Sequence, residues 1–596
     1  MTRRLVWLAL ICLIVVALVL TSCQPAPVTE EKKAVSEESK EVAKEAEEPE
    51  QVQEAIVEEE RTPRYGGTLV QGGAVDYKIF DQINLTPQFN YYFKMTNESL
   101  LQGNWAMGPA GTGEAAFQIP GLFDEKYEIG AIAESWEYEG NDTIIFHIRK
   151  GIHFHNKPPV NGRELDAYDV EFSLNRLFTT KGSMLYREPD DQPTIEATDK
   201  WTFIFKCAPE DFGLLRERIT EWVHVVPHEA VEKYGDLRDW RNTCGTGPFE
   251  LVDYIEDSSY VFRKFPNYWY HDPLYPQNRL PYVDEVRWLI IPDASTLMAA
   301  FETGKIDILN SISLDSGERI LRAYPQAKFA LSPSTLSVII YFRTDTPPFN
   351  DIRVRKALAL ATDQPVIIQD IYHGKAEPIG HPASPHPEFA TIHWKLEELP
   401  ADIRELWEYH PEKAKQLLAE AGYPSGFKVE VTCVSAYVDL LSIVKSQWEN
   451  VGVELTMDVQ ESAAYNAIWR RKEHKALIAM GIANGIPLTL YPYRPNTPNN
   501  VAMVDDPTIN EAQAEIQANE VFNREKAYQI IHDVLPYLYS QCWYVEMPTV
   551  WNYTLWQPWV GGYQGEWSIG CTNWFATVAR YIWVYPDIKY EITGKK

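Results

Sequence analysis

Two arginines, Arg3 and Arg4, precede an apolar run that is unbroken from Leu5 to Leu20, and small Thr21 and Ser22 then lead to Cys23. Sixteen apolar residues fall short of the roughly 20 that a membrane-spanning helix needs, and the order of basic, apolar and small residues is that of a secretory signal. From Gln24 to Glu60 the pattern loses all periodicity: thirteen Glu and four Lys stand among scattered aliphatics, with no aromatic residue. That stretch buries too little apolar surface to offset its ordering entropy and is predicted to be a flexible tether, in part a solvated helical stalk. Beyond residue 61 the pattern alternates between two periods. Thr143–Ile148, Thr202–Phe205 and Lys428–Thr432 alternate as strands do. Helical spacing appears at Val354–Ala361, Pro411–Ala421 and Asp506–Val534, and Pro411 and Gly422 mark the start and stop of the second.

Strands and helices mixed on this scale predict an α/β body, and more than 500 residues exceed what one core supports, so two or three domains are expected. Of the net charge of −29, the signal carries +2 and the tether −9, which leaves −22 on the body. Such acidity excludes nucleic acid and anionic lipid surfaces as partners, since both require clustered Lys and Arg. Cys207, Cys244, Cys433, Cys542 and Cys571 are an odd set without CxxC spacing, so neither zinc nor a disulfide framework is indicated. Cys542 and Cys571 are the closest pair in sequence, and buried free thiols are the expected state.

Several segments recur in an order that resembles a known family. They are Tyr65-Gly-Gly-Thr-Leu69, Ile132-Ala-Glu-Ser-Trp136, Asp142 to His155, Asp166-Ala-Tyr-Asp-Val-Glu-Phe-Ser173, Gly245-Thr-Gly-Pro-Phe249, Phe265-Pro-Asn-Tyr-Trp269, Glu302-Thr-Gly-Lys-Ile-Asp307, Asp351 to Leu358, Ala419-Glu-Ala-Gly-Tyr423 and Pro558 to Tyr563. Together they resemble the family 5 extracellular solute-binding proteins, the dipeptide, oligopeptide and nickel-binding group, over about Tyr65 to Tyr581. Most of these residues read as fold punctuation. Gly151 and Gly247 suit turns or close backbone approach, Asp166 suits a helix cap, and Arg353 and Arg355 need carboxylates such as Asp351 because the helix start does not favour them.

The resemblance implies a periplasmic-binding-protein-like α/β fold of two hinged lobes with an extra subdomain beside the first. Signal peptide 1–23 and tether 24–60 would be followed by a first lobe at 61–333 with the subdomain at about 101–197. A second lobe at 334–540 and a return to the first lobe at 541–596 would complete it. It further implies the substrate-binding component of an ABC importer, monomeric, working with a permease and ATPase complex. Small residues followed by Cys23 resemble a lipobox, so Cys23 would carry the acyl chains of a membrane anchor outside the cytoplasm.

Peptide-binding members resemble one another in a Gly-Trp followed by Asp, whose carboxylate pairs with the ligand's α-amine. Here that stretch reads Lys475-Ala-Leu-Ile-Ala-Met-Gly-Ile-Ala-Asn-Gly485, and no acid occurs between Glu473 and Asp505. A buried ammonium without counter-charge is costly, so Asp76 is the expected substitute and Asn484 its neutral counterpart. The chain has 19 Trp, seven of them between 543 and 583, and indole faces suit sugar rings. Trp105, Trp551, Trp556 and Tyr491 are therefore candidate cleft residues, and the ligand is a peptide or an oligosaccharide. No cofactor or metal is indicated. His153 and His155 share a strand face but sit within a fold signature, and His381 and His386 fall in a Pro-rich loop where exposure is expected. The alternative class is a secreted glycoside hydrolase, in which two acids flank the scissile bond, but GxSxG, HExxH and P-loop patterns are all missing.

Overall fold

The alternating segments become strands: Thr143–Ile148, Thr202–Lys206 and Phe427–Cys433 coincide with the predicted ones to within a few residues. The computed structural model describes residues 62–594 apart from 85–92, 120–123, 335, 484–489, 496 and 570–573. Cys23, Asn484 and Cys571 lie outside the described residues, and the four cysteines within them are free.

One sheet runs in the order Lys328–Pro333, Thr549–Trp556, Ile308–Ile312, Thr68–Gly73, Glu285–Ile290, Ser259–Lys264 and Phe249–Ile255, and the short Ala376–Glu377 also pairs with Thr549–Trp556. A second sheet runs Val453–Val459, Phe427–Cys433, Leu477–Ala483, Leu336–Phe342, Tyr544–Glu546. Parallel neighbours at its centre, Phe427–Cys433 with Val453–Val459 and with Leu477–Ala483, are linked by helices that bury Val444, Trp448 and Tyr465. Each sheet has its own apolar cluster.

The chain passes between the sheets twice. Pro333 ends a strand of the first and Leu336 begins one of the second; Glu546 ends a strand of the second and Thr549 begins one of the first. The return therefore crosses at 547–548 and not at the expected 541, because Tyr544–Glu546 still pairs with Ile339–Tyr341. Ser334 N donates to Val550 O at 2.8 Å, Met547 N to Val338 O at 2.9 Å, and the hydroxyls of Ser337 and Thr549 lie 2.7 Å apart. These bonds tie the two crossings to each other.

A four-stranded antiparallel sheet, Ala133–Glu139, Thr143–Ile148, Thr202–Lys206 and Thr194–Asp199, carries the helix Ala167–Thr179 and forms the inserted subdomain. Its apolar cluster reaches Cys244. The expected end at 197 would cut the hairpin that joins Thr194–Asp199 to Thr202–Lys206, so the insertion extends further.

All but one of the punctuation residues that follow do what the sequence suggests; the exception is Arg355, which finds carbonyls in place of a carboxylate. Asp166 caps Ala167–Thr179 in a capping box with Asp169. A Cβ on Gly247 would stand 2.7 to 2.8 Å from the backbone of Met95, Thr96 and Asn97, a close approach that only glycine permits. Arg353 pairs with Asp351 at 2.6 Å, whereas Arg355 donates to the carbonyls of Phe349 and Gln541. The predicted helix Asp506–Val534 is two helices, Pro507–Asn519 and Arg524–Ser540, because Asn523 caps the second through Lys526 N. Among the described residues no helix is long and apolar enough to cross a membrane.

Candidate functional site

At the crossings the segment 376–398 connects both lobes. Glu546, just before the second crossing, accepts Gly380 N at 2.7 Å and His381 N at 2.6 Å on one carboxyl oxygen. Burial drives its pKa up to about 8 against the lowering effect of those bonds. Further along, the buried Glu388 accepts Phe117 N of the first lobe at 3.0 Å, and burial raises its pKa as well. Ile119, two residues beyond Phe117, is 2% exposed inside the second lobe's cluster. Both contacts place the backbone around 117–119 across the boundary of the lobes. On the first-lobe side, Phe117 O accepts Trp567 N and Ser568 N, and Glu566, its pKa pushed up to about 7 by burial, accepts Ala110 N at 2.9 Å.

The same segment lines a groove of ≈ 630 Å3 that includes Glu377, His386, His393, Trp394, Glu397 and Glu398. That volume lies within the range of small-molecule sites, about 300–1,000 Å3. Its walls mix proline and indole surface with acids, and Glu377 links it to the first-lobe sheet by accepting Trp551 Nε1 at 3.0 Å.

The sequence-predicted candidates do not form one site. Trp551 is half-buried and bridges the lobes through Glu377. Trp556 is 3% exposed, set edge-on to Tyr563 with centroids 5.2 Å apart, and its Nε1 finds no acceptor among the described residues. Trp105 is 1% exposed and lies flat on Tyr581 at 4.5 Å, so its face is spent on packing in the first-lobe core. Tyr491 begins a short helical turn, and its carbonyl accepts Thr497 Oγ1 at 2.9 Å.

Asp76 departs most from expectation. Its carboxylate accepts Tyr254 Oη and Asp257 N at 2.8 Å, Lys78 N at 3.2 Å, and the Tyr260 hydroxyl. Four donors exhaust the four lone-pair positions of a carboxylate, which leaves none for a ligand ammonium. Partial burial raises its pKa, and these bonds outweigh that, holding the carboxyl below its ordinary value.

Histidine expectations also change. His381 and His386 are buried, the first 2.7 Å from Tyr493 Oη and the second 2.8 Å from Ser384 Oγ, and desolvation lowers His386 to about 4. The Pro-rich loop packs inward because Glu546 holds its backbone. His155 is fully buried, with Nε2 3.0 Å from Gly247 O and its pKa lowered to about 4 by desolvation, while His153 turns to Gly162 O at 2.9 Å. One trio with ligand-like spacing, Asp169, His228 and Glu229, is already filled by the Arg163 guanidinium, 2.7 Å from Asp169 Oδ2 and from Glu229 Oε2.

Sequence reasoning passed over Glu377, Glu388 and Glu546. The signal for Glu546 is its place in an apolar strand, Tyr544–Glu546, where a lone acid demands buried partners. Gly481, kept from the family pattern, has a local reason: Tyr437 Oη accepts its N–H at 3.0 Å, and a Cβ there would lie 2.9 Å from that hydroxyl.

The family model for bacterial extracellular solute-binding proteins, family 5 (middle), matches residues 129–501, more than half of the chain. The chain belongs to this family. Heme-binding protein A of Haemophilus influenzae is 28% identical over 378 residues, covering 59% of this chain and 65% of that protein. The dipeptide-binding protein of Escherichia coli is 26% identical over 381 residues, covering 59% and 66%. The chain thus spans just under two thirds of the length of these relatives. Among solved structures, the periplasmic binding protein DppA of Helicobacter pylori, in complex with the peptide STSA, superposes with a TM-score of 0.66 at 21% identity, over 87% of this chain and 98% of that one. The oligopeptide-binding protein AppA of Bacillus subtilis, in complex with a nonapeptide, gives 0.65 at 17% identity, over 88% and 100%. These likenesses establish the two-lobed α/β fold of the family's binding proteins.

Proposed function

We propose that this solute-binding protein captures a small organic ligand between its two lobes and delivers it to an ABC permease and ATPase complex. The observation that carries the reading is the pair of crossings at 333–336 and 546–549: two short backbone links between separately packed sheets are what hinge closure on a ligand requires. Anchoring through an acylated Cys23, with the acidic segment 24–60 as tether, fits a monomer that must reach a membrane partner from outside the cytoplasm. A peptide is the favoured ligand, because relatives with this fold are a dipeptide-binding protein and a protein complexed with STSA. An oligosaccharide is the second reading, and the engagement of Asp76 favours it, because neutral donors within the first lobe occupy the acceptor positions that an α-ammonium would need. The hydrolase alternative has no comparable support.

Melting temperature against panels of short peptides and oligosaccharides tests both. The expected result is a shift that grows with ligand concentration, as binding to the folded state alone requires, without product. A shift with sugars and none with peptides overturns the favoured ligand, and turnover of any oligosaccharide overturns the binding-protein reading.

A further inference from the structure

The two lobes also meet far from the crossings. The second-lobe helix Pro507–Asn519 packs on the subdomain helix Pro209–Glu217, which continues as the π turn Arg218–Trp222. Just past the second-lobe helix, Phe522 stacks on Phe212 with centroids 5.7 Å apart and stands edge-on to Tyr138 at 5.3 Å. Glu520 beside it is pressed against Gly213, where an added Cβ would overlap its carboxylate. Glu520 is 6% exposed and Glu217 7%, and Oε2 of each finds no hydrogen-bond partner among the described residues.

We propose that closing the second lobe onto the subdomain takes up one proton at the Glu217–Glu520 pair, making this contact a pH-sensitive latch. The inference rests on the two lobes moving about the crossings. Two carboxyls from opposite lobes are buried together, so both cannot remain ionised at low cost. The neighbouring cations relieve them only in part. Arg216, on the same helix as Glu217, is committed to Glu128 at 2.7 Å and to Glu125 at 3.3 Å. Arg218 lies over the Trp222 ring at 3.4 Å, and Arg524 gives its Nε to Glu520 O at 3.0 Å. Glu128 adds negative charge to Glu217's surroundings, whereas burial raises Glu221, on the π turn, well above the ordinary carboxyl value. Burial first, then Glu217, pushes Glu520 up to about 8, and Arg524 only partly opposes this. Burial likewise raises Glu217, with Arg218, Arg216 and Arg524 opposing and Glu128 adding to the rise.

In an open form Glu520 faces water and ionises near the ordinary carboxyl value of 4.5. Closure is therefore unhindered below that pH, loses favour as pH rises, and levels off once the closed form also ionises near 8. One proton limits the change to about tenfold in the closure equilibrium per pH unit.

Amide hydrogen exchange of the full chain between pH 6 and 8.5 reads this directly, after division by the chemical exchange rate at each pH. Protection of 209–217 and 507–519, relative to the strand Phe249–Ile255, is expected to fall several-fold over that range. Glu520→Gln, which mimics the protonated acid, is expected to keep both helices protected throughout. Glu217→Gln is expected to move the midpoint to lower pH. Flat protection in the natural protein, an unchanged slope in Glu520→Gln, or an unmoved midpoint in Glu217→Gln overturns the latch. Ligand-induced melting shifts measured on Glu520→Gln test the binding reading separately, since that variant lacks the titrating acid.

Discussion

Replacing Glu546 by glutamine isolates the effect of one buried acid on pH-dependent stability. The carboxyl is buried, accepts Gly380 N and His381 N, and has its pKa raised from 4.5 to about 8. Below 4.5 it is protonated in both folded and unfolded chains and adds nothing to pH dependence. Between 4.5 and about 8 the unfolded chain ionises and the folded one does not, so stability falls with pH; above 8 the loss is complete. At about 1.4 kcal/mol per pH unit the ceiling is about 5 kcal/mol. A cavity of ≈ 30 Å3, large enough for a water molecule, adjoins Glu546 together with Gln364, Tyr539 and Tyr544. Solvation there reduces the figure to roughly 2 kcal/mol, as hydration relieves the burial penalty. A glutamine keeps the accepting oxygen and replaces Oε2, which has no partner among the described residues. Urea unfolding midpoints are therefore expected to match at pH 4.5 and to favour the variant by roughly 2 kcal/mol at pH 8. A Glu546→Gln effect of the same size at both pH values would refute the reasoning.

Other substitutions probe other links. Arg163→Ala strips the partner from Asp169, whose side chain is 1% exposed, and is expected to cost about 2 kcal/mol in unfolding free energy, below the 3–5 typical of fully buried pairs because Arg163 is partly exposed. Trp551→Phe removes the 3.0 Å bond to Glu377; ligand affinity is expected to fall several-fold with little change in melting temperature, and equal affinity would place Trp551 outside the binding machinery. Cys23→Ser is expected to abolish fatty-acid incorporation and move the protein from membrane to soluble fractions, checked by labelled-palmitate uptake and detergent partitioning.

Much of the architecture was legible because it is built on local signals. Asp166, Pro411 and Gly422 bound helices through capping chemistry that acts within a few residues, and the alternation at Thr143–Ile148 survives intact as a strand. The crossing at 547–548 was not, since the pairing of Tyr544–Glu546 with Ile339–Tyr341 joins positions some two hundred residues apart. The site was the least legible part. Asp76 looked available because nothing in its neighbourhood announces that Tyr254 and Tyr260 will consume it from a distant hairpin. Trp105 and Trp556 looked like ligand platforms because tryptophan serves cores and clefts alike, and the stacking of Trp105 on Tyr581 depends on a fold that brings 105 to 581. Histidines in HPASPHP were expected in water, yet the turn that buries them is held by Glu546, far along the chain.

The acids around the lobe boundary bear on the choice between ligands. Burial raises Glu388, carries Glu546 to about 8 and Glu566 to about 7, and outweighs their hydrogen bonds in each case. Near neutral pH Glu546 and Glu566 are held wholly or partly in the protonated form, so neither offers a ready counter-charge to an ammonium. A peptide whose α-ammonium docks beside one must first drive off its proton, since a nearby cation lowers a carboxyl's pKa. An N-acetylated peptide or a neutral oligosaccharide makes no such demand. Calorimetric titration at pH 7 in buffers of different ionisation enthalpy separates the cases. The free peptide is expected to release up to one proton more than its N-acetylated form, and performing both titrations on Glu520→Gln removes the uptake assigned to the latch. If the two forms bind with equal affinity and equal proton count, the α-ammonium is not recognised by these acids. The oligosaccharide reading then gains the ground that the peptide reading loses.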